Sequence, residues 1–133
     1  MDFLVNIDAD DLEKATRFYS AAFGLKVGRR FAFGIELFGG PAPIYLLAKP
    51  AGTPTFDAAT ERRAYERHWT PVHLDFVTDD IEAAVERAVS AGARLERRVA
   101  TYEWGKLALM ADPFGHGFCV IQFLGRGYDE IAE

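Results

Sequence analysis

A short acidic motif occurs twice in the chain, as DDLE at residues 10–13 and as DDIE at residues 79–82. In each copy the first Asp is predicted to cap a helix, and the Glu is predicted to occupy the third helical position. The residues that follow have helical spacing, and Gly24 or Gly92 lies where a helix needs a left-handed C-terminal residue. The repeat therefore predicts two copies of one structural module.

The segments around the two helices repeat as well. Each helix is preceded by a strand with alternating polarity, FLVNID at 3–8 and VHLDFV at 72–77, and is followed by three further strand-like runs. Each half is thus predicted to be βαβββ, which gives an α+β fold of two modules. The predicted organisation is a first module at residues 1–50, a linker at 51–70 with a short helix at 58–67, a second module at 71–124 and a loosely held C-terminal tail at 125–133.

The charge balance argues against polyanionic partners. The chain has 15 Lys and Arg against 20 Asp and Glu, a net charge of −5, whereas nucleic acids and anionic membranes attract basic surfaces. No apolar run is long enough to span a bilayer, and the acidic start MDFLVNIDADD does not resemble a signal peptide. A single cysteine, Cys119, allows no internal disulfide. These observations predict a cytoplasmic protein that binds neither nucleic acid nor membrane.

Three stretches carry a family resemblance: NIDADDLEKATRFYSAAFGL, HLDFVTDDIEAAVERAVSAGA and ALMADPFGHGFCVIQF. Their order resembles the vicinal oxygen chelate superfamily, which includes glyoxalase I, bleomycin resistance proteins and extradiol dioxygenases. The resemblance implies a glyoxalase/bleomycin resistance/dioxygenase fold, in which the strands of two modules curl into a cup with the helices outside. It also implies a homodimer whose clefts receive a small-molecule ligand. It does not fix an activity, because the superfamily hosts many chemistries.

Metal-using members of the superfamily place one ligand, usually His or Gln, Glu, His and Glu, on each of four strands. The corresponding positions here are Leu4, Tyr45, His73 and Cys119. Leucine cannot bind a metal, a phenol with a pKa near 10 is a reluctant ligand, and two remaining ligands are too few. Asp75, on the same strand face as His73, could add a third. We therefore expect no cofactor, with a divalent metal near His73 as the alternative.

The stretch ADPFGHGFCVIQF places His116 and Cys119 three residues apart. Because Asp, Pro and Gly occupy the first, second and fourth positions of DPFG, a type I turn is predicted, with His116 just past it. His116 and Cys119 would then not converge. Cys119 is interpreted as a small apolar residue that lines a pocket, rather than as a reactive thiol, because the sequence places no cation beside it.

Candidate ligand-binding residues come from the inner strands and their ends. His73 and Asp75 form either a polar anchor for a ligand or a structural hydrogen-bonded pair, and these alternatives stay open. If the protein is a catalyst, His73 is the best candidate for an acid or base. Aromatic side chains with a few polar groups are the usual composition of a small-molecule pocket. The predicted ligand-binding set is Asn6, Phe33, Tyr45, His73, Asp75, Trp104 and Cys119.

Three hypotheses about function follow. The first is a metal-independent protein that binds a small apolar or aromatic molecule in a dimer cleft, as the resemblance to the bleomycin-resistance branch implies. The second is a metal-dependent lyase, isomerase or dioxygenase with a non-standard site around His73. The third is a non-catalytic structural or regulatory subunit whose cup is filled by its own side chains.

Overall fold

The computed structural model describes all 133 residues, which divide into two compact units, Met1–Glu66 and Arg67–Glu133. Each unit contains one α-helix and a four-stranded mixed sheet that does not close into a barrel. The first unit comprises β1 (Val5–Ala9), α1 (Leu12–Phe23), β2 (Lys26–Phe31), β3 (Gly34–Phe38) and β4 (Ile44–Ala48). The second comprises β5 (Leu74–Val77), α2 (Ile81–Ala91), β6 (Arg94–Tyr102), β7 (Gly105–Ala111), β8 (Gly117–Phe123) and a 3-10 helix at Gly127–Glu130.

The two sheets share one topology, which confirms the predicted α+β fold of two βαβββ modules. Their strand orders are β1-β4-β3-β2 and β5-β8-β7-β6, and in each the first strand pairs in parallel with the last. Asn6 lies opposite Tyr45 in the first sheet, and Asp75 lies opposite Cys119 in the second. These two pairs occupy corresponding places in the repeat.

Each helix covers one face of its sheet with the residues that the helical spacing predicts. Alternate residues of the strands point toward the helix and are buried, so the intervening side chains lie on the other face, which we call the open face. The buried residues of the first unit include Ala15, Phe18, Tyr19, Ala22, Ile35, Leu37, Ile44 and Leu46, and those of the second include Ile81, Ala84, Val85, Ala88, Ala108, Met110, Phe118 and Val120.

The helix caps differ from the prediction by one residue. The capping side chains belong to the second Asp of each motif, Asp11 and Asp80, which accept hydrogen bonds from the amides of Lys14 at 2.9 Å and Ala83 at 3.1 Å. A capping carboxylate bonds the amide three residues onward, and the extended backbone of the second Asp allows this contact. Each motif Glu therefore occupies the second helical position, so no capping box forms. The left-handed glycines at both C-termini are confirmed.

The predicted helix at residues 58–67 does not form. Two side chains of this segment instead bind strand ends of the first unit. The Arg63 guanidinium contacts the Asp8 carboxylate at 2.6 Å, and the Tyr65 hydroxyl donates to the carbonyl of Lys49 at 2.5 Å. These contacts, together with a bridge between Pro54 and Arg62, hold the backbone in an irregular path.

Part of the C-terminal tail packs against the second unit through Tyr128. The ring of Tyr128 lies 4.8 Å from that of Phe123 and 5.0 Å from that of Trp104, measured between centroids. This aromatic contact fixes the 3-10 helix against the second unit. Neither α-helix combines the length and the apolar character that crossing a bilayer requires.

Candidate functional site

Three polar side chains meet on the open face of the second unit. His73 precedes β5, Asp75 lies two residues further on the same face, and Cys119 lies opposite Asp75 on β8. His73 Nε2 is 3.2 Å from Asp75 Oδ1, and one ligating atom from each residue lies within 4.8 Å of the others. We call these residues the trio. Strand alternation and the parallel register of β5 and β8 bring them together.

The Cys119 thiol is held in its protonated form. Burial raises its pKa to about 12, and the nearby charge of Asp75 and the hydrogen bond to its carboxylate act in the same direction. A thiol with so high a pKa is a poor nucleophile at neutral pH, since the thiolate is the reactive form. Cys119 therefore acts as a hydrogen-bond donor to Asp75 and as a soft, nearly apolar surface.

A cavity of about 240 Å³ adjoins the trio. Its lining includes Trp69, Leu109, His73 and Cys119. Trp69 is 80% exposed, so a large aromatic surface lies open beside the polar group of His73. A concave surface of apolar and aromatic groups with a few polar atoms can bind a small organic molecule.

An ion pair fixes one wall of this cavity. Arg67 Nε lies 2.5 Å from Glu96 Oε1, and Arg94 also contacts that carboxylate at 3.1 Å. The two guanidinium groups hold the pKa of the Glu96 carboxyl below its ordinary value, mainly through the Arg67 hydrogen bond. The charges at this wall are thus satisfied within the protein, and the ion pair positions the backbone that carries Trp69.

The turn before β8 binds the segment that carries Trp69. Asp112 to Gly115 form the predicted turn, with the Gly115 amide donating to the Asp112 carbonyl at 3.3 Å. His116 lies just past it, and its Nδ1 is 3.2 Å from Nε2 of His68. The amide of His68 also donates to the carbonyl of Gly115 at 3.2 Å. His116 therefore bonds His68 and does not join Cys119.

The open face of the first unit carries a second polar group. Glu36 and Tyr45 are register partners on β3 and β4, and the Tyr45 hydroxyl donates to Glu36 Oε1 at 2.9 Å. Arg29 contacts the same carboxylate at 2.6 Å and donates to the Tyr45 hydroxyl at 3.0 Å. The rings of Phe31 and Phe33 stack beside this group with centroids 5.3 Å apart.

The ionisation of Glu36 tests this network directly. The hydrogen bonds from Arg29 and Tyr45 lower the pKa of the Glu36 carboxyl to about 2. Replacing Arg29 with methionine should return that pKa most of the way to the ordinary value of about 4.3, because the largest cause of the shift is removed. Carboxyl carbon NMR during an acid titration measures it. Arg30→Met is the control, since Arg30 pairs with Glu13 instead; an unchanged pKa in Arg29→Met would contradict the network.

A family model for the glyoxalase-like domain matches residues 4–121. The chain belongs to this family. It is accordingly a member of the vicinal oxygen chelate superfamily, as the sequence resemblance predicts.

Two Streptomyces proteins are similar in sequence to this glyoxalase-like chain. It is 28% identical over 129 residues to the anthracycline biosynthesis protein DauV of Streptomyces sp. (strain C5), and 29% identical over 130 residues to DnrV of Streptomyces peucetius. The matches cover 97% and 96% of this chain but 43% of each relative. The chain therefore spans less than half the length of these relatives.

Solved structures share the fold at lower sequence identity. The fosfomycin resistance protein FosX of Listeria monocytogenes superposes with a TM-score of 0.72 at 15% identity, covering 98% of this chain and 96% of FosX. A glyoxalase/bleomycin resistance protein/dioxygenase family enzyme of Burkholderia phytofirmans gives a TM-score of 0.71 at 22% identity, covering 91% and 97% of the two chains. These similarities establish the fold.

The side chains at the four positions that the sequence resemblance matches to metal ligands do not fit the usual ligand set. Leu4 offers no donor atom, Tyr45 is engaged by Glu36 and Arg29, and the Cys119 thiol is protonated. The residues that could hold a metal ion are those of the trio, which supply one nitrogen, one oxygen and one sulfur atom. Such a soft donor set would have to lose the thiol proton on binding.

Of the seven predicted ligand-binding residues, four lie in the second unit, and the structure brings three of these together. His73, Asp75 and Cys119 meet, whereas Trp104 stacks on Tyr102 in an aromatic group apart from the cavity lining. In the first unit, Tyr45 lies beside Asn6 on the sheet, and Phe33 is exposed in the turn before β3. Whether any of the seven binds a ligand stays a prediction.

The predicted ligand-binding set does not include the cavity residues Arg67, Trp69 and Leu109. Trp69 belongs to the segment YERHW at residues 65–69. Its two aromatic side chains and one imidazole were the sequence feature that could have indicated a binding role. Leu109 could have been found from its alternation along β7, since it shares a face with Cys119 across the β7–β8 pair.

Proposed function

We propose that this protein binds a small, mostly aromatic molecule in the cavity of the second unit, without a metal ion. The observation that carries the proposal is the cavity itself, in which the exposed Trp69 ring and the Leu109 side chain lie beside His73. The loss of donors at Leu4 and Tyr45 supports metal independence. We further propose that the protein is a cytoplasmic homodimer, with the ligand lying in the dimer cleft, as is common among small members of the superfamily.

The relatives suggest which molecules to try. Two of them are named for anthracycline biosynthesis, and structural neighbours are named for fosfomycin and bleomycin resistance. Their names point to secondary metabolites and antibiotics as a ligand class. Aromatic compounds of this class suit a cavity that offers an open indole surface.

A tryptophan substitution tests the proposed binding site. Trp69→Ala should weaken the binding of a flat aromatic probe, β-naphthol, roughly tenfold, because stacking on the indole is lost. Isothermal titration calorimetry measures the affinity. Trp104→Ala is the matched control and should leave it unchanged, since Trp104 lies outside the cavity lining. Equal effects of both variants, or no binding to the wild-type protein, would reject the proposal.

A metal-dependent lyase, isomerase or dioxygenase is the second candidate, because the trio groups three donor atoms within 4.8 Å. The two candidates differ in their response to chelation. The binding protein should keep its affinity for β-naphthol after dialysis against EDTA, and should contain no stoichiometric metal by elemental analysis. Stoichiometric zinc, iron or manganese that is lost in His73→Ala would favour the enzyme.

A further inference from the structure

We propose that the cavity of the second unit selects uncharged aromatic ligands over anionic ones, because the carboxylate of Glu96 already binds the Arg67 guanidinium. The inference rests on the proposed function of the same cavity and specifies the class of its ligand. Glu96 thus acts as the specificity-determining residue, and Gly117 acts as the residue that positions Arg67.

The first step concerns the hydrogen bonds of the guanidinium. Arg67 and Glu96 both line the cavity, and their side chains meet at two points, with Nε 2.5 Å from Oε1 and Nη2 3.3 Å from Oε2. The third nitrogen, Nη1, donates to the carbonyl of Gly115 at 3.5 Å and to that of His68. All three guanidinium nitrogens therefore have acceptors within the protein, and a ligand carboxylate would find none of them unengaged.

The second step concerns the charge that a ligand meets. The charges of Arg67 and Glu96 compensate each other. Arg94 also contacts Glu96 at 3.1 Å, but it lies outside the cavity lining and its side chain is 66% exposed, so water and salt screen its charge. His73 in the lining lies 3.2 Å from the Asp75 carboxylate, which compensates any charge that the imidazole carries. An entering carboxylate would lose hydration without gaining a free cation, whereas an uncharged ligand would not.

The third step concerns what holds the guanidinium in this place. A Cβ at Gly117 would lie 2.5 Å from Nη2 of Arg67 and 3.0 Å from its Cζ, much closer than unbonded atoms approach. The guanidinium therefore lies directly against the backbone of β8, on the face that Cys119 shares two residues further on. Gly117 does not have a left-handed backbone, so this close approach, and not the backbone conformation, requires glycine here.

Two probes of nearly the same shape separate this inference from the proposed function. The amide 2-naphthamide is uncharged, and 2-naphthoate is an anion at neutral pH. We expect the wild-type protein to bind the amide about tenfold more tightly in isothermal titration calorimetry. Glu96→Gln, which leaves the Arg67 charge uncompensated, should reduce this ratio to about one. Glu82→Gln is the matched control and should keep the ratio, because Glu82 pairs with Lys106 outside the cavity lining.

The same titrations show which of the two proposals fails. If the wild-type protein binds 2-naphthoate as tightly as the amide, or if Glu96→Gln keeps the tenfold preference, the inference is wrong and the proposed function stands. If neither probe nor β-naphthol binds, both are wrong. The double variant Arg67→Met/Glu96→Gln should regain the preference for the amide. If the double variant still binds 2-naphthoate as tightly as Glu96→Gln does, Arg67 is not the group that binds the anion, and the inference fails.

A measurement without any ligand tests the position of the guanidinium. In Gly117→Ala the guanidinium must move away from β8, so its hydrogen bonds to Glu96 should lengthen. Because the Arg67 hydrogen bond is the main cause of the lowered pKa of the Glu96 carboxyl, that pKa should rise toward its ordinary value. Carboxyl carbon NMR measures the change. Gly40→Ala, where a Cβ would meet no atom within 4 Å, is the control and should leave the pKa of Glu96 as it is. An unchanged pKa in Gly117→Ala would overturn the positioning role of Gly117.

Discussion

Replacing Asp112 with alanine is expected to lower the free energy of unfolding by roughly 2–4 kcal/mol, because it leaves two backbone amides without their charged acceptor. Asp112 is only 5% exposed. Its Oδ1 accepts hydrogen bonds from the amide of Phe114 at 2.8 Å and from the amide of His116 at 2.9 Å. Few buried carboxylates lack such partners, and this one stabilises the turn that leads into β8.

The same substitution should also weaken ligand binding. The turn immediately precedes β8, which carries Cys119, and the carbonyl of Gly115 receives the amide of His68, the neighbour of Trp69. A disordered turn would release the segment that forms one wall of the cavity. Naphthol affinity should therefore fall in Asp112→Ala even at temperatures where the protein remains folded.

Asp112→Asn is the matched variant, because an amide oxygen at the same place can still accept both hydrogen bonds. It should lose about half as much stability as Asp112→Ala, or less. Urea denaturation followed by circular dichroism measures both variants. If the alanine and asparagine variants were equally stable, the hydrogen bonds of Oδ1 would not be the source of the stabilisation.

The fold could be predicted from the sequence because its elements repeat in a pattern set by burial. One helical face and alternate strand residues must face the core, so Phe18, Ile81 and their neighbours mark the elements directly. The exact helix start could not be predicted, since two adjacent Asp residues can both cap a helix. The prediction of a helix at 58–67 was wrong for a different reason. Arg63 and Tyr65 bind strand ends that are distant in sequence, and local helix propensity contains no information about such contacts.

The candidate site, like the fold, could be predicted from the sequence only in part. His73, Asp75 and Cys119 could be grouped from strand alternation and from the family resemblance, which aligned two strands that are distant in sequence. The roles of Arg67 and Trp69 depend on the ion pair between Arg67 and Glu96, which joins an irregular segment to β6. Sequence spacing carries no information about such a pair. Trp104 was predicted to line a ligand site because it is aromatic, and in the structure its ring stacks on that of Tyr102.

Replacing Phe18 with alanine is expected to cost roughly 3–5 kcal/mol of stability, the usual range for removing a buried phenylalanine. The ring is 2% exposed, and its centroid lies 5.0 Å from that of Tyr19 and 5.9 Å from that of Phe23, both in edge-to-face contact. Alanine would leave a cavity between α1 and the buried face of the first sheet. The loss should appear as a lower midpoint in urea and as faster amide exchange in β3 and β4.

Two further variants distinguish a lost ring from a disturbed helix. Phe18→Leu keeps most of the buried volume and should cost about 1–2 kcal/mol, since the remaining cavity is smaller. Arg17→Ala changes an exposed neighbour on the same helix and should stay within about 0.5 kcal/mol of the wild-type protein. A loss in Arg17→Ala as large as that in Phe18→Ala would mean that helix propensity, rather than packing under the sheet, determines the stability of the first unit.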